Sequence, residues 1–409
     1  MNEQLQDLYA FIDAHVSDMI ELETLLTAHP AVSPNSGGEG ELAKCTALEA
    51  WLKAHGITKL ERFDAPDPRA KGGVRPNLVA TVDGAADDRT VWIMAHMDVV
   101  PEGERALWQS DPWTVIERGG KLYGRGVEDN QQGLVSGVFA ALACVKSGRT
   151  PPHTVKLLFV SDEEEGSAFG IEYLLKHHSL FRPNDMIIIP DGGSSDGSTI
   201  EVAEKNILWM EIAVHGRQAH GSRPDEGINA CLAGSELALL LHGMESHFNR
   251  RDELFEPPYS TFQPTRREKN VPNINTIPAE DVFCMDCRIL PCYSLDDVRA
   301  ETARRVSQIE QKYGVTVDIT EHQAMESPAT PADAPVVHAL QSAVRSVYGI
   351  EAKPVGIGGG TVGAYLRAAG FQAAVWARMD ETAHQPNEYT KLENLTGDAK
   401  VFAAVMMQN

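Results

Sequence analysis

An uninterrupted apolar run at residues 91–95 ends on two side chains that can serve a metal ion. The run has the length and composition of a fully buried strand. His96 follows it directly, and Asp98 comes two positions later. Side chains at i and i+2 of an extended backbone point to the same side, so the imidazole and the carboxylate are expected to lie next to each other. The carboxyl end of a strand is also where open α/β sheets bind ligands.

This pair alone leaves two interpretations open. A carboxylate beside a histidine fixes the tautomer of the ring and raises its basicity, which suits a metal ligand. A strand-end histidine that is simply hydrogen-bonded to a nearby aspartate, with no metal, has the same local pattern. The rest of the chain has to decide between them.

Three further apolar runs, at 78–82, 155–160 and 186–190, have the character of strands, and helical patterns alternate with them. Strands that alternate with helices predict an α/β fold, here a doubly wound mixed sheet with parallel strands at its centre. Two of these runs also lead into acids. Glu163 and Glu164 follow the run at 155–160, and Asp191 follows the run at 186–190.

The pattern changes after residue 206, where strands alternate apolar and polar residues as if one face were exposed. Strand, helix, strand, helix and strand follow one another, with an extra strand expected around 260–265. This order predicts a small α+β sandwich of ferredoxin-like type. The α/β character returns near residue 335, so the second domain is inserted in the first. The expected domains are 1–206 with 324–409, and 207–323.

Composition narrows the possible partners and location. The 409 residues are enough for two domains, and the net charge of −22 argues against a nucleic-acid partner. No apolar run approaches the roughly 18 residues of a membrane span. The acidic, amphipathic start of the chain has the features of neither a signal nor a transit peptide. We therefore expect no membrane partner and a cytoplasmic location.

Five potential metal ligands lie at strand ends or turns of the predicted sheet. They are His96, Asp129, Glu164, Asp191 and His384. An acid at a strand end can also be a helix cap or half of an ion pair, but five such residues at one edge of a sheet together predict a metal site. Two histidines with several carboxylates suit zinc, cobalt or manganese.

The number of ligands exceeds what one tetrahedral zinc needs. This excess favours two ions about 3.5–4 Å apart, bridged by a carboxylate and a water. A bridging water needs a base to take its proton. Glu163, directly before Glu164, can supply that base.

Seven motifs in a fixed order carry a resemblance to a known family: H-M-D-V-V-P, G-R-G-V-E-D, D-E-E-E-G-S, P-D-G-G, H-G-R-Q-A-H, N-T-I-P with a later Arg, and A-H-Q-P-N-E-Y. The chain resembles the co-catalytic zinc amidohydrolases and exopeptidases. That family includes succinyl-diaminopimelate desuccinylase, acetylornithine deacetylase, aminoacylase, glutamate carboxypeptidase and carnosine-type dipeptidases. The resemblance spans nearly the whole chain.

The resemblance implies a role for each candidate ligand. Asp129 bridges two divalent ions, zinc in the first place, with cobalt or manganese as alternatives. His96 and Asp191 complete the site of one ion, and Glu164 and His384 complete the site of the other.

The same resemblance implies the residues that carry the reaction. Asp98 orients His96, and Glu163 is the general base that later protonates the leaving amine. The inserted domain is a lid and a dimerisation surface, so the expected assembly is a homodimer. His220 reaches into the site of the partner subunit and stabilises the oxyanion. Without the resemblance, His220 reads as a histidine on a surface loop.

Substrate contacts are implied at five further positions. Asn275 and Arg288 meet the substrate, and the planar guanidinium suits a carboxylate. A surface salt bridge is the alternative interpretation of the arginine. Gly359, Gly360 and Thr361 form a turn that lacks the lysine of a phosphate-binding loop, and in the family this turn lies near the substrate carboxylate.

The chain departs from the usual family pattern in two places. Residues 130–133 read Asn-Gln-Gln-Gly, where many relatives have Met-Lys-Gly-Gly. Asp191 stands where desuccinylases, deacetylases and aminoacylases usually have Glu, whereas carboxypeptidases and dipeptidases more often have Asp. The second departure favours peptide-like substrates and weakens a specific desuccinylase assignment.

These observations predict a dinuclear metal hydrolase that cleaves an amide or peptide bond in an N-acyl amino acid or short peptide with a free carboxylate. Two alternatives remain. Some relatives hydrolyse N-carbamoyl or ureide substrates, and a catalytically silent metal-binding scaffold would keep the fold. The intact Glu163 argues against the scaffold, because a protein without activity has no need of the base.

Overall fold

The structure is a computed structural model, which describes residues 3–408. Ten α-helices lie in this range: α1 (Glu3–Ala14), α2 (Val16–Thr27), α3 (Leu42–His55), α4 (Gln131–Lys146), α5 (Ile171–His177), α6 (Ala230–His242), α7 (Leu295–Tyr313), α8 (Pro335–Tyr348), α9 (Gly363–Ala368) and α10 (Leu392–Met406). None of these described helices has both the length and the apolar composition of a membrane-crossing segment.

Seventeen β-strands lie in the same range: β1 (Lys59–Pro66), β2 (Val74–Val82), β3 (Ala86–His96), β4 (Ile116–Arg118), β5 (Lys121–Tyr123), β6 (His153–Val160), β7 (Met186–Ser194), β8 (Thr199–Glu204), β9 (Asn206–His215), β10 (Ala219–His220), β11 (Thr261–Arg267), β12 (Thr276–Ile277), β13 (Glu280–Ile289), β14 (Thr316–Met325), β15 (Lys353–Ile357), β16 (Ala373–Arg378) and β17 (Tyr389–Lys391).

The chain divides into two compact units. The first contains the residues up to Val202, Thr330–Val355 and the residues from Thr361 onward, and the second contains Ala203–Ala329 with Gly356–Gly360. The sequence pattern placed this last segment in the first domain. Its backbone bonds lie elsewhere, because Gly356 N–H donates to the carbonyl of Leu254 and the Ile357 carbonyl accepts from Lys205 N–H.

The large sheet has the order β1-β2-β6-β3-β7-β16-β8-β15. Its four central strands, β6, β3, β7 and β16, are parallel, and β1 and β2 are antiparallel to their neighbours. Neighbouring side chains of β3 pack against helices on opposite faces of the sheet. Trp92 packs in one cluster with Leu174 of α5, whereas Ile93 lies against Gly137 of α4, where a Cβ atom would come within 3.0 Å. The doubly wound mixed sheet predicted from the sequence is confirmed.

The register of the central strands brings the candidate ligands to one edge. His96 pairs with Val160 across β3 and β6, three residues before Glu163. Ile93 pairs with Ile188 across β3 and β7, and in each strand three more residues lead to a candidate ligand, His96 or Asp191. Parallel pairing therefore puts these side chains at the same level of the sheet.

The second unit has the chain order β9-α6-β11-β13-α7-β14 and the sheet order β11-β13-β9-β14. All three strand pairs are antiparallel. Alternate residues of β9, from Leu208 to Val214, are buried in one core with Leu237 of α6 and Val298 of α7. The helices therefore cover one face of the sheet, and the predicted inserted α+β fold of ferredoxin-like type is confirmed.

Candidate active site

Asp98 contacts His96 through its main-chain oxygen and the turn after β6 through its carboxylate. The Nδ1 atom of His96 lies 3.0 Å from the main-chain oxygen of Asp98 and 3.5 Å from its carboxylate. This contact makes Nδ1 the protonated nitrogen and leaves Nε2 free to bind a metal. The Asp98 carboxylate accepts the backbone N–H groups of Glu163 at 3.1 Å and Glu164 at 3.0 Å. Asp98 thus fixes the acidic turn after β6 as well as the histidine.

Asp129 lies between the two histidines. One carboxylate oxygen is 2.9 Å from Nε2 of His96, and the other is 3.1 Å from Nε2 of His384. Each histidine has a second acidic neighbour. Asp191 is 3.5 Å from His96, and Glu164 is 2.9 Å from His384. The five residues predicted as ligands are therefore together, and Asp129 occupies the central position.

Two overlapping groups of side chains in the described chain have the spacing of metal sites. One group is His96, Glu163 and Asp191, and the other is His96, Asp129 and Glu164. Within each group all ligand atoms lie within 4.8 Å of one another. Glu163 is thus close enough to the predicted metal centre to reach a water bound there.

The charges of the site are strongly coupled. Burial disfavours the charged form of His96, but nearby carboxylates, above all that of Asp191, raise its pKa well above the usual value. Hydrogen bonds to Asp129 and Glu164 raise the pKa of His384 to about 10. Burial, followed by the carboxylate of Asp191, raises the pKa of Glu163 well above that of a free glutamate.

The donor set fits divalent cations. The ion pairs formed by Asp129, Glu164 and Asp191 are with His96 and His384. Two imidazolium ions do not balance the surrounding carboxylates, whereas two divalent ions would do so while freeing both ring nitrogens as ligands. Imidazole and carboxylate are also the ligands that zinc uses in catalytic sites.

Comparison with known proteins identifies the family. Residues 92–408 match the model described as Peptidase family M20/M25/M40. The chain belongs to this family. An uncharacterized metallohydrolase of Methanocaldococcus jannaschii is 37% identical over 410 residues, which cover 96% of this chain and 99% of that protein. A succinyl-diaminopimelate desuccinylase of Sulfurovum sp. is 24% identical over 94% of this chain and 97% of that protein.

A solved structure supports the same fold. The aminopeptidase PepT from Bacillus cereus aligns with a TM-score of 0.78 at 16% identity, over 96% of this chain and 98% of that chain. The family resemblance predicted from the motifs is therefore confirmed. This M20/M25/M40 member is a metal-dependent hydrolase, and its candidate ligand groups lie at the carboxyl edge of the parallel strands.

His220 and Asn275 of this M20/M25/M40 member lie together in the second unit. His220 is exposed on β10 and pairs with Thr276 of β12, next to Asn275. The Nδ1 atom of His220 accepts the backbone N–H of Ser222 at 3.2 Å, and the hydroxyl oxygen of Ser222 lies 2.8 Å from the same Nδ1 atom. Because Nδ1 accepts this hydrogen bond, the neutral ring carries its proton on Nε2.

Arg288 lies beside the glycine-rich turn. Its Nε and Nη2 atoms donate to the Asp286 carboxylate at 2.7 and 3.1 Å, and Nη1 donates to the carbonyl of Gly358 at 2.9 Å. The guanidinium also lies over the ring of Trp209. Gly359 and Gly360 follow in the same unit and are exposed, whereas Thr361 begins the next segment of the first unit.

Sequence reasoning missed two buried residues that contact a predicted site residue or its neighbour. Asn130 is buried and donates to the carboxylate of Asp191 at 2.7 Å and to the carbonyl of Pro190 at 2.6 Å. The two departures from the family pattern thus contact each other. Buried Arg75 pairs with Glu41 and, at 3.2 Å, with Asp162, the residue before Glu163. The departure at 130–133 was the only signal that the sequence offered for Asn130, and nothing in it indicated Arg75.

Proposed function

We propose that this chain hydrolyses an amide or peptide bond in an N-acyl amino acid or a short peptide that carries a free carboxylate. The observation that carries the proposal is the position of Asp129, whose two oxygens face His96 and His384 with Glu163 alongside. A carboxylate that can bridge two ions, beside a general base, is the arrangement that water-mediated hydrolysis needs.

The proposed cofactor is a pair of divalent ions, zinc in the first place, with cobalt or manganese as alternatives. His96 and Asp191 would hold one ion, Glu164 and His384 would hold the other, and Asp129 would bridge them. When bound, the ions polarise the scissile carbonyl and lower the pKa of the attacking water.

Glu163 moves the protons in this proposal. Its carboxylate takes a proton from the attacking water and later gives it to the nitrogen of the leaving amine. Burial and the nearby Asp191 raise the pKa of Glu163, which favours its protonated form and therefore its second role, as the acid. Asp98 positions Glu163 through the backbone N–H that it accepts.

His220 is proposed to stabilise the oxyanion in the site of the partner subunit of a homodimer. The hydrogen bonds to Ser222 support this role, because they leave the Nε2–H group free to donate. The second unit also carries exposed apolar side chains, Leu232 and Leu239 on α6 and Ile274 before β12. These exposed apolar side chains suit a self-associating surface.

Arg288 is proposed to bind the substrate carboxylate. A guanidinium has five N–H donors, and the contacts with Asp286 and Gly358 use three of them. The remaining two lie on Nη1 and Nη2, which together form a fork for a carboxylate. Asn275, and the turn of Gly359, Gly360 and Thr361, are proposed to contact the rest of the substrate.

The substrate class follows from this carboxylate site and from the relatives. A desuccinylase and an aminopeptidase both occur among them, so an acyl group and an amino-acid residue are both possible on the other side of the scissile bond. Asp191 favours the peptide side of this choice. We also propose a cytoplasmic location.

The test is hydrolysis by the zinc- or cobalt-loaded protein. The panel contains N-succinyl-diaminopimelate, N-acetyl amino acids, dipeptides including β-alanyl ones, and an N-carbamoyl amino acid. Turnover of an acyl or peptide substrate that is lost in Glu163→Gln supports the proposal. The matched control is Glu165→Gln, because that neighbouring carboxylate instead accepts the hydroxyls of Ser33 and Ser36.

Two outcomes would contradict the proposal. Exclusive turnover of the N-carbamoyl compound would place the chain among the ureide hydrolases. A protein that binds no divalent ion and acts on no member of the panel would overturn the assignment of the five ligands.

A further inference from the structure

Two buried glutamates connect the loops that carry Asp129 and His384. Glu128 immediately precedes Asp129, and Glu388 lies four residues after His384. Both side chains are almost completely buried, with exposed fractions of 2% and 0%. A buried carboxylate is costly unless hydrogen bonds satisfy it, so the partners of these two groups indicate what they do.

Glu388 binds the backbone of the Asp129 loop. One of its oxygens accepts the N–H groups of Glu128 at 3.0 Å and Asp129 at 3.1 Å. The other oxygen accepts the N–H of Gly126 at 3.0 Å and Nη1 of Arg125 at 2.6 Å. Three contacts to main-chain N–H groups and one contact to a buried guanidinium thus hold this loop to a residue from the far end of the chain.

Glu128 binds the backbone of the His384 loop in return. One oxygen accepts the N–H of Asp380 at 2.7 Å. The other accepts both the N–H and the hydroxyl of Thr382, the latter at 2.7 Å. Each loop therefore contributes a carboxylate that binds the main chain of the other loop. We call Glu128 and Glu388, with these contacts, the reciprocal clamp.

The loop that carries His384 needs such support. Glu381, His384 and Asn387 all have positive φ angles, of 59°, 62° and 64°. Non-glycine residues adopt this conformation at a cost, and it persists only where surrounding contacts enforce it. The His384 side chain is itself 55% exposed, so side-chain packing alone does not fix its position.

We propose that Glu128 is a positioning residue for the second metal ion, the one assigned to Glu164 and His384. The clamp sets the distance between Asp129 and His384, and loss of the Glu128 carboxylate would free the His384 loop. The Asp129 loop should move less, because Glu388 directly precedes β17, which pairs with β5, and is itself held by Arg125. This inference rests on the proposed dinuclear site, and Glu128 acts through His384 without touching an ion.

The test compares Glu128→Gln with the wild type after removal of metal from the full-length protein. A glutamine turns one acceptor into an N–H₂ group that faces a donor, so the loop loses part of its support. In a calorimetric titration with Zn²⁺ we expect two ions to bind the wild type. In Glu128→Gln, one ion should bind with unchanged affinity and the other roughly 10–100-fold more weakly.

A matched control is available directly before β7, at the opposite end of that strand from Asp191. Asp185 is 3% exposed and accepts the N–H groups of Thr90 and Arg182 and the indole of Trp92. Asp185→Asn therefore removes an equally buried acceptor of backbone N–H groups, away from the ligands. It should bind both zinc ions as the wild type does.

A second measurement does not need metal. Amide hydrogen exchange of the metal-free protein should be faster across 380–387 in Glu128→Gln than in the wild type or in Asp185→Asn. If Glu128→Gln does not fold, Thr382→Val removes the hydroxyl donor from the other side of the clamp and should change both measurements in the same direction. Unchanged exchange in this segment, or two zinc ions bound with wild-type affinity, would overturn the inference. A wild type that binds no zinc would refute the proposed function, and the exchange data would still decide the clamp.

Discussion

At the scale of single residues, Asp98 connects two parts of the candidate site. Its main-chain oxygen fixes His96, and its carboxylate accepts the N–H groups of Glu163 and Glu164. The sequence predicted only that the side chains of Asp98 and His96 lie next to each other. The turn that Asp98 also holds carries both the proposed base and a proposed ligand, so one buried carboxylate contacts the backbone of two residues with different proposed roles.

We expect Asp98→Asn to reduce turnover and metal affinity together. The amide keeps one acceptor but presents an N–H₂ group to one of the two backbone donors, which displaces the turn. Changes of this kind behind a metal site typically cost about 10–100-fold in affinity or activity. The measurements are kcat and zinc affinity, compared with Asp185→Asn. A variant that only loses stability, with normal kcat and zinc affinity, would reduce Asp98 to a structural residue.

At the scale of helices and strands, the sequence predicted most of what is formed locally. The runs that end at His96, Glu163 and Asp191 were identified by composition, because a buried parallel strand is apolar throughout. The topology of the inserted unit followed from the alternation in its strands. In both cases the signal lies within a few residues, so no long-range contact had to be known.

The contacts behind the ligands could not be predicted in this way. Glu388 and Glu128 bind backbone N–H groups more than 250 positions away. Any residue type can supply such a donor, so the partner leaves no mark in the sequence. The pattern put Gly356–Gly360 in the first domain, whereas the structure groups it with the second unit, and the backbone bonds to distant residues behind this difference leave no mark in the sequence.

A buried aspartate on α10 connects this helix to α4 and α8. Asp398 is fully buried and accepts hydrogen bonds from Gln132 on α4 at 2.8 Å, from the N–H of Arg378 at 3.2 Å and from the hydroxyl of Tyr348 on α8 at 3.0 Å. Burial raises the pKa of Asp398 to about 7. The native state therefore holds this proton at pH values where an unfolded aspartate has lost it.

This shift predicts how stability depends on pH. Because the native pKa is raised, the contribution is complete below the unfolded pKa and is lost as the pH rises through about 7. Asp398→Asn can keep all three contacts and does not titrate. Between about pH 5 and pH 8, the metal-free wild type should lose roughly 1–3 kcal/mol of unfolding free energy more than this variant. Urea unfolding at constant ionic strength measures the difference, and equal pH slopes would contradict the shift.

At the scale of the whole molecule, the proposed site is shared between subunits. Each chain would supply its own metal ligands and Glu163, whereas His220 would come from the partner. This division separates two classes of inactive variant. A change at a proposed ligand or at Glu163 inactivates the site of the same chain, whereas a change at His220 inactivates the site of the partner chain. A protein that works as a monomer has no such separation.

Mixing inactive variants tests this arrangement. Glu163→Gln and His220→Ala should each be nearly inactive alone. In a mixed dimer, one of the two sites combines an intact Glu163 with an intact His220, so random exchange should restore roughly a quarter of wild-type kcat. Glu163→Gln mixed with His384→Ala is the control, because both defects lie in the chain's own site and neither site of the mixed dimer is complete. Equal inactivity of both mixtures, after subunit exchange has been verified by sedimentation, would place His220 in its own chain's site or outside the reaction.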